Sequence, residues 1–320
     1  MRMRWFTLVP FVVCAGTVFS QAYPTKPVRV VVTWAAGGTT DVAARIIAQR
    51  VSESWPHQMV VENRPGAGGT IGAASAAKSP PDGYALILGS STEMVVSPHV
   101  YKNVGYNTVK DFVPIAYAGA QPMVLTVNPQ LPVKSVPELI AYAKSRPATL
   151  NSATAGNGST LHLAHALFES MTGVKLVHVP YSGSPQSAMA TVAGESQVHF
   201  GSLTAVLELV RGGKLRGLAV TGSKRVSVLP DLPALREVGL PTYDIIIWNA
   251  LFAPQGTPAD VIDRLQTEVN RVMTEKEVLD AFARLSMDYA PMSRAELANM
   301  VSSDWTKLGK IVAAAGMKVD

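Results

Sequence analysis

The sequence predicts an α/β protein of two lobes that meet at a hinged cleft, and three observations carry that expectation. Strand-like apolar runs alternate with helical ones from residue 28 onward, the arrangement of parallel βαβ units. Removing a 22-residue leader from 320 residues leaves 298, enough for two lobes with separate cores, since single cores stop growing near roughly 250–300 residues. Two extended stretches, Ile115 to Gly119 and Ile245 to Ala253, flank a second βα series and can carry the chain out of one lobe and back.

The leader is the first element. Arg2 and Arg4 precede an apolar run from Trp5 to Val13, and Ser20-Gln21-Ala22 supplies the small-x-small cleavage signal, so the mature chain is expected to begin near Tyr23. The run is too short to span a bilayer and is interrupted by Pro10. Cys14 is the only cysteine, and removing the leader leaves no thiol for a disulfide, a nucleophile or a zinc site. The expected location is the periplasm. The formal charge of +5 falls to +3 when Arg2 and Arg4 leave. Lys and Arg are scattered singly, without the basic run that nucleic-acid binding needs, so the positive bias would at most steer an anionic solute.

The first series reads strand Val28 to Trp34, helix Asp41 to Ser54, strand Met59 to Asn63, helix Thr70 to Lys78 and strand Tyr84 to Leu88. The second reads strand Met123 to Val127, helix Val136 to Lys144, strand Leu150 to Ala153, helix Thr160 to Met171 and strand Leu176 to Val179, with strands near Gln197 to Phe200 and Leu215 to Thr221 completing it. Ser135-Val-Pro-Glu138, Thr274-Glu-Lys-Glu277 and Ser293-Arg-Ala-Glu296 each match a capping box. Thr257-Pro258 reads as an N-cap followed by proline, and Val261, Leu265, Val269 and Val272 mark the apolar face of the helix that follows. The expected partition is 23–120 with 246–320 as one lobe and 121–245 as the other.

Two glycine turns point to anion binding. Val30-Val-Val-Thr-Trp-Ala-Ala-Gly-Gly-Thr-Thr-Asp41 runs a buried strand through Gly37 and Gly38 into a helix. Glycines let backbone approach a ligand, and the free N–H groups of the first helical turn would face it. Thr39 and Thr40 can add hydroxyls, whereas Asp41 reads as a cap on its own helix. Gly156-Asn-Gly-Ser-Thr-Leu-His162 repeats the pattern in the second series, placing Gly158, Ser159 and His162 at a helix start, where Ser159 also suits a cap. Ser90-Ser91-Thr92 adds hydroxyls at the carboxyl end of a strand, where ligands of open α/β sheets collect.

His162, His165 and Glu169 fall on one helix and raise a metal-dependent enzyme as a rival reading, but no zinc-hydrolase order such as His-Glu-x-x-His accompanies them. Gly-x-Ser-x-Gly and the phosphate-binding Gly-x4-Gly-Lys-Ser/Thr are missing. Gly66-Ala-Gly-Gly-Thr-Ile-Gly72 has Ile71 where a dinucleotide loop needs its third glycine. No catalysis, cofactor or bound metal is expected. No heptad or broad apolar stripe suggests more than a monomer.

Several segments resemble the Bug receptors, the substrate-binding proteins of tripartite tricarboxylate transporters: Tyr23-Pro-Thr-Lys-Pro-Val-Arg29, Ala36-Gly-Gly-Thr-Thr-Asp41, Val60-Val-Glu-Asn-Arg-Pro-Gly-Ala-Gly-Gly69, Pro81-Asp-Gly-Tyr84, Pro180-Tyr-Ser-Gly183, Gly213-Lys-Leu-Arg-Gly-Leu-Ala-Val-Thr221, Leu229-Pro-Asp-Leu-Pro233 and Ala253-Pro-Gln-Gly-Thr-Pro258. The matches follow in order along nearly the whole mature chain. The resemblance implies a periplasmic-binding fold of the second topological type, with mixed sheets flanked by helices, and a cleft for a di- or tricarboxylate or related organic acid. It further implies a carboxylate grip from Ala36, Gly37, Gly38, Ser91, Gly158, Ser159 and His162, with Tyr181 and Trp248 as walls. Trp34, Thr39, Asp41, Thr92 and Gly183 complete the expected site. The implied partners are the membrane subunits of such a transporter; a receptor reporting to a membrane sensor is a separate alternative that the sequence does not distinguish.

Two departures from the family's usual pattern stand out. Thr33-Trp34 replaces a Pro-Phe pair, which makes the mouth narrower or more polar. His199 stands where many members carry a cleft-facing Asp, which favours a plain acid over an amino acid.

Overall fold

Parallel pairing needs crossover helices, and the chain supplies them in sequence. The computed structural model describes residues 23–319, so the leader expected over 1–22, Cys14 included, lies outside the described residues. The strands are β1 (Val28–Val32), β2 (Met59–Asn63), β3 (Ala85–Ser90), β4 (Phe112–Val127), β5 (Asn151–Thr154), β6 (Val177–Pro180), β7 (Val198–Ser202), β8 (Arg216–Val220) and β9 (Ile246–Pro254). The helices are α1 (Thr39–Ser54), α2 (Thr70–Ala77), α3 (Ser97–Val100), α4 (Thr108–Asp111), α5 (Val136–Lys144), α6 (Thr160–Thr172), α7 (Ser184–Ala193), α8 (Leu203–Arg211), α9 (Ala259–Met273), α10 (Lys276–Arg284) and α11 (Arg294–Ala314).

The strands run in the order β2-β1-β3-β9-β4-β7-β5-β6, with β8 also on β4. Within each wing the pairing is parallel: β1 with β2 and β3 on one side, β5 with β6 and β7 on the other. The centre is antiparallel, because β9 pairs both β3 and β4. β4 is the element common to both wings. Its first part, Phe112 to Pro122, pairs β9, and its last part, Met123 to Val127, pairs β7. The two stretches read from the sequence as crossings are therefore hydrogen-bonded to each other, and the register between them slips twice, at Pro114/Ala116 and Tyr117/Ala120. These irregularities bend the strands where the wings meet. This is the two-lobe periplasmic-binding fold with mixed sheets and flanking helices.

The cores are less separate than the sequence suggested. Two apolar clusters belong to single wings, one around Val30, Ile47 and Leu265 and one around Val206 and Leu215. A third runs through both, joining Ile87 and Met94 to Phe168 and Phe200. The reason is the C-terminal helix: α11 lies against β4, α6 and the π-helical turn Thr92–Val96 together, so its apolar face closes over the junction.

The helix starts are met unequally. Ser293 caps α11 reciprocally with Glu296, and Ser135 Oγ accepts from Glu138 N–H at the start of α5, where Glu138 reaches Lys134 N–H instead of completing a box. The box expected at Thr274 does not form, because α10 begins after Glu275 and the Thr274 hydroxyl donates back to Arg271 O. Likewise Pro258 is the N-cap of α9, and Thr257 donates to Pro254 O. Both hydroxyls satisfy carbonyls of the preceding turn, a local alternative open to threonine.

His199 of β7 holds α7 in place. It is fully buried, with Nε2 2.9 Å from Ser187 Oγ and Nδ1 3.3 Å from Thr126 Oγ1. It lies outside the cavity lining, so the residue at 199 does not set the charge in the cleft. Burial lowers its pKa to about 3, against about 6.5 in an unfolded chain. Because the folded value is depressed, the associated stability is complete above the unfolded pKa and is lost as pH falls from about 6.5 towards about 3. At pH 5 that loss is on the order of 2 kcal/mol. His199→Gln should therefore lose about 2 kcal/mol less between pH 7 and pH 5 than the unmodified protein, measured by guanidinium unfolding. Equal losses would refute the assignment.

Candidate functional site

A cavity of about 380 Å³ opens between the wings, large enough for a small organic ligand. Its lining contains no Asp, Glu, Lys, Arg or His. What it has instead is helix starts. The first N–H groups of a helix have no partner within it, so each start must be capped, solvated or liganded.

The first start belongs to α1. Gly37 has φ +84°, a left-handed conformation that glycine adopts without strain, and Gly38 is the N-cap. Gly38 has no side chain to offer the first turn, so no cap bond is made. The turn is held from behind by Asp41, which is 2 % exposed. Its carboxylate accepts from Gly37 N–H (2.8 Å), from Arg45 Nε (3.0 and 3.1 Å) and from Asn63 Nδ2 (2.8 Å), and Asn63 also donates to Trp34 O at 2.9 Å. Burial works against ionisation of Asp41, but these hydrogen bonds outweigh it and keep its pKa below the usual value. The N–H of Gly37 is thus already committed, and the open groups are those of the following turn.

Two further starts come from helices the sequence reading did not identify. The N-cap of α7 is Gly183, which again has no capping side chain. The N-cap of α8 is Ser202, whose hydroxyl makes no cap bond. Ser202 N–H donates to Ser184 Oγ at 2.9 Å, Thr204 Oγ1 lies 3.4 Å from Ser202 Oγ, and the hydroxyls of Thr204 and Thr39 hydrogen-bond to each other. A line of hydroxyls thus joins the starts of α1, α7 and α8 across the gap. Each helix start carries roughly half a positive charge.

The second glycine turn behaves differently. At the start of α6, Ser159 Oγ accepts from His162 N–H (3.1 Å), Thr92 Oγ1 accepts from Thr160 N–H (3.2 Å) and His162 Nδ1 accepts from Gly158 N–H (3.3 Å). Ser159 and His162 of the turn and Thr92 from a distant segment fill it. Of the residues expected in the site, Trp34, Ala36, Gly37, Gly38, Thr39, Thr92 and Gly183 line the cavity, and Asp41 stands behind them. Ser91, Gly158, Ser159, His162, Tyr181 and Trp248 are outside the lining. Ser91 is buried beside Thr160, Tyr181 reaches Glu195, and Trp248, 1 % exposed, donates its indole N–H to Asp304 at 2.8 Å. Thr40, read with Thr39 as a hydroxyl of the first turn, also lines the cavity, and the lining residues the sequence reading missed include Gln121, Leu161, Ser184, Pro185, Gln186, Ser202, Thr204 and Leu285. Gly183-Ser-Pro185 before a helix and Gly194 after it were the available signals.

Trp34 forms part of the cavity wall and donates its indole N–H to Glu93 Oε2 at 3.2 Å. Glu93 is fully buried, accepts from Ser90 N–H (2.5 Å) and Ser90 Oγ (2.6 Å), and has its pKa raised by burial. His162 stacks on His178 with ring centroids 3.9 Å apart, while His165 bonds Ser152 Oγ at 2.9 Å and pairs Glu169 at 3.4 Å. Burial, then the neighbouring histidines, lowers His162 to about 3, and burial and His165 lower His178 to about 4, so both rings are neutral at pH 7. No group of three His, Cys, Asp or Glu side chains is arranged to hold a metal among the described residues.

The sequence model described as "Tripartite tricarboxylate transporter family receptor" matches residues 43–317. The protein BugT of Bordetella pertussis is 37% identical over 270 residues, 84% of this chain and 83% of its own length. A solved structure from R. palustris with adipate superposes with a TM-score of 0.88 at 35% identity, covering 92% of this chain and 99% of that one. MatC of Rhodopseudomonas palustris with bound malate gives 0.85 at 30% identity, covering 91% and 100%. Fold, order of motifs and near full-length similarity agree, and the chain belongs to the tripartite tricarboxylate transporter receptor family.

Proposed function

We propose that this protein is exported by a cleavable leader, ending near Ala22-Tyr23, and captures a small carboxylate in the periplasm for the membrane subunits of a tripartite tricarboxylate-type transporter. The observation that carries the reading is the convergence of three helix starts without side-chain caps on one charge-free cavity. Main-chain N–H groups held by packed helices stabilise an anion without ordering long cationic side chains. Relatives seen with adipate and with malate favour the same ligand class. The protein binds without reacting: the lining has no carboxyl, imidazole, amine or thiol to act as general acid or base.

The lobes in this reading are 23–120 with 246–320, and 121–245, turning about β4 and β9. In the structure described, the starts of α1 and α8 already meet through the Thr39 and Thr204 hydroxyls, so it corresponds to the shut form, and affinity in this reading depends on reaching that form from an open one. Small-angle X-ray scattering should show the radius of gyration falling when a bound acid is added. An unchanged radius at saturation would remove closure from the proposal.

Gly38→Val tests the grip. An added Cβ meets only Ala35 O, at 3.4 Å, and φ at Gly38 is −72°, so the variant should fold normally while placing a branched side chain over the α1 start. Adipate, malate, citrate and simple monocarboxylates should be screened by thermal shift. A ligand at 100 times its Kd stabilises the native state by about 2.7 kcal/mol. The variant should lose that gain and keep its ligand-free melting temperature. A variant still stabilised as well as the unmodified protein would move the site elsewhere.

A further inference from the structure

Most of the surface that faces the cavity is carbon. The apolar lining comes from both wings: Trp34 after β1, Val42 of α1 and Leu285 after α10 from one, Leu161 of α6 and Pro185 of α7 from the other, together with Ile247 of β9. The helix starts account for one polar end of a ligand and leave this wall to meet the rest of it. At about 380 Å³ the cavity lies in the range of roughly 300–1,000 Å³ that buries drug-sized ligands, more room than a four-carbon acid fills.

Several polar groups of the lining are engaged by the protein itself. Thr40 gives its proton to Asn249 Oδ1 (2.8 Å), Ser90 gives its own to Glu93 Oε2 (2.6 Å), Thr92 Oγ1 lies 2.8 Å from Thr160 Oγ1, and Thr39 and Thr204 bond each other. Gln121, Ser182 and Gln186 are neutral and can give or take a hydrogen bond, so they accept a polar substituent without selecting one. The carbon surface does select. A ligand hydroxyl taken from water to that wall costs free energy unless it is paired, whereas every methylene placed there gains it.

We propose that the receptor selects acids with an apolar body of about six carbons or more, a chain or a ring, over short hydroxylated acids. The carboxylate sits at the helix starts and the body covers the carbon wall. This rests on the reading of the cavity as a carboxylate site, and it assigns affinity to the amount of carbon the ligand brings, while the helix starts supply the common grip.

The test is isothermal titration of the mature protein at neutral pH and several temperatures. Butyrate, hexanoate and octanoate form one series, succinate and adipate a second, benzoate and cinnamate supply rings, and malate and citrate are the short hydroxylated acids. In a chain series that binds, affinity should rise about fourfold with each added methylene, the factor that burying one CH₂ supplies. The heat-capacity change of binding should grow more negative at each step, the mark of apolar surface leaving water. Malate should bind no more tightly than succinate. Tighter binding of the rings than of the chains assigns the body as a ring, and the reverse order assigns it as a chain. Affinity that stays level or falls with chain length while no ring binds, or malate or citrate bound more tightly than every apolar-bodied acid, overturns the proposal and leaves the carboxylate site standing. Gly38→Val should remove binding across the panel, and a gain with chain length that survives in it belongs to another surface and overturns the proposal. Binding of no acid in the panel overturns both readings.

Discussion

A helix cannot satisfy its own first N–H groups, and this chain leaves three such starts open around one cavity. At α5, α6 and α11 a serine at the N-cap closes the first turn. At α1 and α7 the N-cap is glycine, and at α8 the serine present makes no cap bond. The starts of α2, α3, α9 and α10 also lack a side-chain cap, but those of α1, α7 and α8 are the uncapped ones that border the cavity. Glycine in place of a capping side chain costs a helix only roughly a few tenths of a kcal/mol, so these starts stay open at little expense to the free protein while their N–H groups remain available to an anion.

Open starts are useful only if they are held still. Asp41 does this for α1 from the side away from the cavity, tying Gly37, Arg45 and Asn63 together while Asn63 secures Trp34 O. Glu93 does the same for the Trp34 ring. Both carboxylates are buried behind the wall and neither lines it. The Asp41 charge is thus met by donors behind the wall, and burial pushes Glu93 towards its neutral form, so neither presents a negative charge to the cavity. His199 locks α7 to β7 in the opposite wing by an uncharged version of the same device.

Much of the scaffold was legible in the sequence. β2 and α5 have the bounds expected from their patterns, and β1, α1, α2 and α6 differ by a residue or two at an end. Asp41, read as the cap of its own helix, is not its cap: Gly38 holds that position, and Asp41 instead accepts from Gly37 N–H just before it. The two extended stretches proved to pair with each other, which a local pattern cannot reveal. The site was harder to read. Gly156 to His162 looks like the turn at Gly37 and Gly38, yet Ser159 and Thr92 close it, and Thr92 comes from 68 residues away. α7 escaped notice because Ser184–Ala193 has no charged residue to mark a polar face, and α8 because it follows β7 with no intervening loop. Gln121 gave no local signal at all: that an amide inside an apolar strand borders the cavity is seen only once the wings are assembled.

A peptide N–H cannot be mutated away. Any substitution at Thr39, Ser184 or Leu203 that leaves the helix intact leaves its amide proton in place, so the proposed grip is made of atoms that every amino acid except proline supplies. Evolutionary change in such a cleft is therefore confined to bulk and to the few side chains around the ligand's body. A lineage of these receptors can exchange one guest for another by small edits to the wall without rebuilding the grip.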